Sequence, residues 1–310
     1  MKVLIVCSGN AENFDFIIHH SFVYEQIETL KRTYDVEYDT FFVEGKGVWG
    51  YIKNLRKLKN KIKMYMPDFV HAHFGLSGLL ACLQRKVPVI ITFHGSDANL
   101  SDLRFLSKFA ALLSKFNIFV SDKIHQKIRG NDRYSIIPCG INFDQFYPID
   151  QKPARKKLKL DPEHTYILFA SNFNNEVKNA PLAFSAVEKL NNKCELIELS
   201  NRSREEVNLL LNACDLLLLT SKSEGSPQII KEAMACNCPV VATDVGDIRK
   251  VISETEGCYI TSFDPEDVAS KVTLALRFGK RTNGRERVKH FDNNLMASKV
   301  FKIYSSVLSK

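Results

Sequence analysis

The chain has 310 residues, 45% of them hydrophobic and 25% charged, with 14 glycines and 10 prolines. That composition excludes disordered, collagen-like and low-complexity classes, and the length suits two domains of roughly 150 residues, each with its own core. The formal charge of +8 is shared evenly between the two halves, and no nucleic-acid-binding motif accompanies it, so a nucleic-acid partner is not expected.

In chain order, the first expected strand is Val3–Cys7, ending in the turn Ser8-Gly9-Asn10. This apolar start is too short for a secretory signal, and no run approaches the ~18 apolar residues of a membrane span, so a soluble cytoplasmic protein is expected. Further strands are expected at Val36–Phe42, Phe69–His73, Val87–Phe93, Ile118–Val120 and Ser135–Ile137, with helices between them at His20–Tyr34, Gly50–Tyr65, Gly75–Gln84, Leu103–Phe116 and Asp122–Arg129. The second of these helices carries Lys53, Arg56, Lys57, Lys59, Lys61 and Lys63 with no acid from Val48 to Pro67. The polar, proline-broken stretch from Asp144 to Pro153 reads as a linker. The pattern then restarts, with strands at Tyr166–Ala170, Glu195–Leu199, Leu216–Thr220, Val240–Thr243 and Cys258–Ile260. Helices are expected at Ala180–Asn191, Arg204–Ala213, Pro227–Ala235, Asp247–Ser253 and Pro265–Arg277, and a closing helix at Leu295–Leu308. Short β-branched runs with helical crossovers predict parallel sheets covered on both faces. Two such Rossmann-like α/β domains, 1–148 and 149–294, are expected to face each other across a deep cleft, followed by a C-terminal helical segment, 295–310.

The eight cysteines contain no C-x-x-C pair, and Cys236-Asn-Cys238 is too tight for a zinc pair. They read as reduced core thiols, and no metal site is expected.

The passage from Leu216 to Ala235 carries the chemistry. A buried strand runs into a loop holding Glu224, and the loop into a helix with Ser226 as the expected N-cap and Pro227 as its first residue. The helix start offers free N–H groups to a diphosphate. Glu232 lies one to two turns in, so the two carboxylates can address different hydroxyls of one elongated ligand.

The passage Glu-Gly-Ser-Pro-x-x-x-x-Glu-Ala-Met-Ala-Cys-x-x-Pro-Val-Val-Ala-Thr-Asp-x-Gly, from Glu224 to Gly246, resembles the signature of glycosyltransferase family 4. So do Pro67-Asp68-x-Val-His-Ala-His73, Thr92-Phe-His94-Gly95-Ser96-Asp97, the run Ile137-Pro138-Cys-Gly140-Ile-Asn-Phe-Asp-Gln-Phe146, and Asn212-Ala-Cys-Asp215. The resemblance covers nearly the whole chain. It implies a GT-B fold whose C-terminal helix packs back toward the first domain, and a retaining transfer of a sugar from a nucleoside diphosphate sugar to an acceptor hydroxyl.

By the same resemblance, Glu224 contacts the donor sugar, Glu232 the ribose, and Gly225, Ser226, Pro227 and Gln228 the sugar and phosphate. Lys178 clamps the diphosphate, and His94 lies close to the transferred sugar. The usual arginine partner of the lysine is Asn172 here, which brings no charge; either diphosphate binding is weaker or Arg202 or Arg204 is the expected substitute. Gly9 stands where the family has a glycine-rich loop. His71 and His73 read as structural. No Asp-x-Asp triplet occurs, which favours leaving-group stabilisation by Lys178 and the helix start without a metal. No cofactor is expected beyond the substrate, a UDP- or GDP-sugar. The expected pathway is cell-surface polysaccharide or glycolipid assembly. The alternatives are a non-catalytic nucleotide-sugar-binding protein and a nucleotide-sugar epimerase. The basic run Lys53–Lys63 and the aromatic-basic stretch Leu103–Phe116 point to an anionic membrane surface at the inner face of the membrane, near a glycan or lipid-linked acceptor.

Overall fold

The computed structural model describes residues 1–95, 98, 101–190 and 194–309, with the backbone alone at 101 and 102. Ser96 and Asp97, and the expected helix end at Asn191, lie outside the described residues. The chain divides into unit 1, Met1–Gly140 with Asn293–Lys310, and unit 2, Ile141–Asp292. The boundaries thus fall at 140 and 292, a little before the expected 148 and 294.

Among the described residues, unit 1 holds six parallel strands: β1 (Lys2–Ser8), β2 (Glu37–Val43), β3 (Phe69–His73), β4 (Val89–Phe93), β5 (Phe116–Phe119) and β6 (Tyr134–Ile136), in the order β2-β1-β3-β4-β5-β6. Helices α1 (Phe16–His19) and α2 (Ser21–Thr33) follow β1; α3 (Gly47–Ile52) and α4 (Leu55–Tyr65) follow β2. Then α5 (Gly75–Cys82), α6 (Ser101–Leu113) and α7 (Asp122–Ile128) follow β3, β4 and β5. Residues Val3 to Cys7 are fully buried because both faces of the sheet are covered. Leu4, Val6, Val70 and Phe93 pack on one side against Leu58, Ile62, Leu80 and Ala110. Val3, Ile5 and Phe69 pack on the other with Val23, Ile27, Leu30 and the C-terminal helix.

Unit 2 holds β7 (Thr165–Phe169), β8 (Cys194–Glu198), β9 (Leu216–Leu219), β10 (Val240–Thr243) and β11 (Tyr259–Thr261), all parallel, in the order β11-β10-β9-β7-β8. Its helices are α8 (Gln151–Leu158), α9 (Ala180–Val187), α10 (Arg204–Ala213), α11 (Gln228–Ala235), α12 (Ile248–Ile252), α13 (Pro265–Phe278) and α14 (Gly284–Val288), with a 3-10 turn at Lys289–Phe291. The chain then returns to unit 1 as α15 (Asn293–Leu308), which packs on α2 with Tyr34 and Phe301 stacked at 3.9 Å.

Three expectations need correction. The helix expected over Gly50–Tyr65 is two helices, because Asn54 turns its side-chain amide onto the carbonyls of Glu44 and Gly50, at 2.7 and 2.8 Å, between them. Such local side-chain bonds compete with helix propagation. The stretch read as a linker contains α8, whose Pro153 sits in the first turn, where a missing N–H costs nothing. The helix expected to run to Phe116 stops at Leu113, and Phe116 opens β5.

In both sheets the strand order reverses once, between β1 and β3 and between β7 and β9. Loops leaving the carboxyl ends of such strand pairs diverge to opposite faces and leave room for a ligand.

Candidate active site

In unit 2 the loops at the reversal point are those after β7 and β9. The first carries Asn172 and Lys178, the second Glu224 to Pro227. Lys178 Nζ donates to Glu224 Oε1 at 2.6 Å, with both side chains mostly buried. The two loops are laced together beneath that pair. Thr220 Oγ1 donates to the carbonyls of Lys178 and Asn179 at 2.9 and 3.0 Å, and Lys222 N to Val177 O at 2.8 Å. Asn179 takes a left-handed conformation (φ 56°) as it turns the chain into α9.

The loop after β10 supports the Glu224 loop from its other side. Gly246 has φ +59°, and a Cβ there would lie 2.7 Å from Gly225 O and 3.2 Å from Glu224 Cβ. Only glycine permits both that backbone conformation and that approach. Thr243 Oγ1 donates to Ser221 O at 2.7 Å, and Ser226 Oγ to Asp247 Oδ2 at 2.6 Å.

That last bond corrects the helix cap. The helix α11 starts at Gln228, one residue later than expected; its N-cap is Pro227, which makes no side-chain cap bond, and the Ser226 hydroxyl is committed to Asp247. The first turn of α11 directly follows the Glu224–Pro227 loop, so its amide end and Lys178 both border Glu224.

Glu232, the fifth residue of α11, is buried, and Arg204 Nη2 donates to its Oε1 at 2.7 Å. The Arg204 guanidinium lies 4.6 Å from the centre of the Phe146 ring. A buried carboxylate without a cation would carry a desolvation cost of several kcal/mol, and the Arg204 guanidinium is the cation that offsets it at Glu232. Of the two arginines expected to substitute at Asn172, Arg204 is therefore engaged by Glu232, and Arg202 pairs with Glu206 on the surface at 3.4 Å. Asn172 itself is exposed, in a loop pinned by Phe173 N donating to Glu198 Oε2 at 2.9 Å.

Gly9 and His94 belong to unit 1. Gly9 N donates to Val43 O at 2.9 Å, and a Cβ there would lie 3.0 Å from Phe42 Cβ; the glycine lets the chain leave β1 close against β2. His94 sits past the end of β4 between Phe22 and Phe74, ring centres at 4.7 and 4.8 Å. Its Nε2 is 3.0 Å from His73 Nδ1, and its Nδ1 3.8 Å from Cys139 Sγ. Below it, His71 lies between Tyr304 OH (2.6 Å) and Thr92 Oγ1 (2.7 Å). Burial pushes the His71 imidazole down to about 3 and that of His73 well below its ordinary value, so both are neutral at pH 7. His20, whose Nε2 meets Ser8 O at 2.9 Å, is lowered as well, by burial.

Asn212 and Asp215 serve the scaffold. Asn212 bonds the backbone of Ile149 and Tyr147 at 2.8 and 3.0 Å, and Asp215 takes Arg155 Nη2 at 2.9 Å and Tyr166 N at 2.8 Å. Sequence reasoning missed Thr220, Gly246 and Asp247 as the support of the Glu224 loop. The Thr243-Asp-Val-Gly-Asp247 run after a buried strand was the available signal.

The sequence profile described as Glycosyltransferase Family 4 matches residues 3–145, and that described as Glycosyl transferases group 1 matches residues 187–291. The chain belongs to the family 4 glycosyltransferases. An uncharacterized glycosyltransferase of Methanocaldococcus jannaschii is 26% identical to it over 296 residues, 83% of this chain and 81% of that protein. A putative teichuronic acid biosynthesis glycosyltransferase of Bacillus subtilis is 26% identical over 238 residues, 67% of this chain and 61% of its own length. The chain thus spans about three-fifths of that relative and of several mycobacterial ones. Among solved structures, the sucrose-phosphate synthase of Thermosynechococcus elongatus superposes with a TM-score of 0.85 at 17% identity, over 99% of both chains. Anabaena HepE in complex with UDP-glucose does so with a TM-score of 0.78 at 15% identity, over 99% of this chain and 100% of that one. These likenesses place the glycosyltransferase in the GT-B fold, with two Rossmann-like parallel sheets.

Proposed function

We propose that this family 4 glycosyltransferase moves a sugar from a nucleoside diphosphate sugar to an acceptor hydroxyl with retention at the anomeric carbon. The observation that carries the reading is the Lys178–Glu224 pair at the reversal point of the unit 2 sheet, beside the amide end of α11. As the sugar–phosphate bond breaks, negative charge grows on the leaving diphosphate. A lysine ammonium and helix N–H groups already fixed in a partly dry site stabilise that charge without reorganising. Glu224 accepts hydrogen bonds from the donor sugar, and Glu232, held by Arg204, accepts from the ribose diol. His94 enters the reading only through the family resemblance, as a contact of the transferred sugar. The UDP-glucose bound to HepE makes UDP-sugars the first donors to try. The name of the Bacillus subtilis relative supports a role in cell-surface polysaccharide assembly.

A thermal-shift screen of UDP-, GDP- and ADP-sugars tests the reading. A donor at one hundred times its Kd adds about 2.7 kcal/mol, a shift of several degrees. Turnover of that donor should then fall by roughly two to three orders of magnitude in Glu224→Ala. If no nucleotide sugar raises the melting temperature or is consumed, the reading fails.

We further propose that α6 rests on an anionic bilayer. Phe105 is 73% exposed, Phe109 and Leu112 follow on the same side of the helix, and the exposed Arg104 and Lys108 flank them. Exposed apolar residues bordered by cations suit an anionic lipid surface. Vesicles containing phosphatidylglycerol should carry the protein upward in flotation at low salt, and Phe105→Ser/Phe109→Ser should leave it at the bottom. Equal behaviour of the two proteins would exclude this surface.

A further inference from the structure

The loop after β2 and the starts of α3 and α4 enclose a groove of about 530 Å³, lined among others by Glu44, Lys46, Trp49, Lys53, Asn54 and Lys57. Its floor is firm. Gly45 (φ +110°) and Gly50 touch backbone to backbone, and a Cβ on Gly50 would lie 2.6 Å from Gly45 C. Asn54, buried, ties the carbonyls of Glu44 and Gly50 together at 2.7 and 2.8 Å. Asn10, from the loop after β1, closes a two-way clamp on Gly45, donating to its carbonyl at 2.9 Å and accepting from its N–H at 2.7 Å. The groove therefore opens at the carboxyl edge of the unit 1 sheet, where parallel sheets bind ligands.

The lining is selective. Trp49 is 78% exposed, although burying an aromatic ring of its size would stabilise the fold substantially. Among the described residues, no ion pair engages Lys46, Lys53 or Lys57, whereas Lys61 of the same basic run is paired with Asp39 at 2.5 Å. Three ammonium groups and one carboxylate leave a local excess of two positive charges. A phosphate monoester carries about −1.5 to −2 at pH 7, which balances that excess. A carboxylate accepts hydroxyl hydrogen bonds, and an indole offers a flat apolar surface to the C–H face of a sugar ring.

We propose that this groove is the acceptor subsite and that it takes a saccharide bearing a phosphate group, with the phosphate on Lys53 and Lys57 and the ring on Trp49. This rests on the glycosyl transfer proposed above. The phosphate chemistry is shared by soluble sugar phosphates and lipid headgroups, and the test separates them.

Trp49 is the single tryptophan of the chain, so tryptophan emission reports this groove directly. The full chain is titrated with glucose, mannose and galactose 1-phosphates, and in parallel with glucose, with inorganic phosphate and with phosphatidylglycerol vesicles. At least one hexose phosphate should move the emission with a Kd at least tenfold below those of glucose and of phosphate. Lys53→Ala/Lys57→Ala should raise that Kd at least tenfold, while Lys156→Ala/Lys157→Ala, on exposed α8 positions, should leave it unchanged. Silence of all three hexose phosphates, a response to vesicles alone, or an unchanged Kd in the Lys53/Lys57 variant would each overturn the proposal. The nucleotide-sugar thermal shift is read on the same preparation. A donor shift with a silent Trp49 removes this subsite only, and silence in both removes glycosyl transfer as well.

Discussion

At the scale of single residues, Asn172 stands where the family resemblance leads one to expect an arginine, and the structure leaves the position exposed. Its side chain is exposed while its neighbour Phe173 is pinned by Glu198, so a longer side chain meets no packed core. Both arginines expected to substitute are engaged elsewhere, Arg204 by Glu232 and Arg202 by Glu206. Asn172→Arg should therefore tighten binding of the nucleoside diphosphate by roughly tenfold, about 1.4 kcal/mol, through a planar cation on the diphosphate. Isothermal titration with UDP measures it; an unchanged or weaker Kd would show that position 172 does not face the phosphates. The pairing of Lys178 with Glu224 could not be read from sequence. The two lie far apart in the chain and meet only because β9 pairs with β7, whereas β8, which lies between them in sequence, pairs on the other side of β7. The burial of Glu232 was equally hidden, because its cation comes from a different helix.

At the scale of elements, most strands were legible because buried parallel strands read as continuous apolar runs, and Phe69–His73 and Val240–Thr243 are found at the expected bounds. What stayed hidden was decided by single polar side chains: Asn54 broke one helix, and Ser226 left its capping position for Asp247. The loop after β10 shows how one element carries another's chemistry. A methyl group at Gly246 meets the Gly225 carbonyl and the Glu224 side chain, in a conformation that L-residues avoid. Gly246→Ala should cost about 1–3 kcal/mol of stability. It should also lower kcat/KM with the donor by roughly tenfold to a hundredfold, since small displacements of a positioning group are costly in rate. If the variant melts lower but keeps full kcat/KM, the loop is a support for the fold alone.

At the scale of the whole molecule, unit 1 carries three buried histidines that make it sensitive to mild acid. His20, His71 and His73 are all held neutral by burial, with folded values below the ordinary 6.5. The unfolded chain therefore takes up protons near pH 6.5 that the folded chain refuses until much lower pH. Stability from these groups is fully present above pH 6.5 and is lost as pH falls, by up to about 1.4 kcal/mol per pH unit for each histidine. Melting followed from pH 7.5 to 5.0 should show the loss, and His71→Leu, though less stable at every pH, should lose stability less steeply. A slope identical to that of the parent chain would exclude His71 as a source.

The return of α15 to unit 1 has a consequence for biosynthesis. Translation produces β1 long before Tyr304, yet the His71 imidazole in the middle of the first sheet has Tyr304 as one of its two hydroxyl partners, the other being Thr92. Unit 2, which is continuous from Ile141 to Asp292, can close its core while the ribosome is still adding α15. Unit 1 is begun before unit 2 and completed after it, and in the interval Val3, Ile5 and Phe69 wait on a sheet face that α2 covers and α15 does not yet, a natural foothold for a chaperone on the nascent chain.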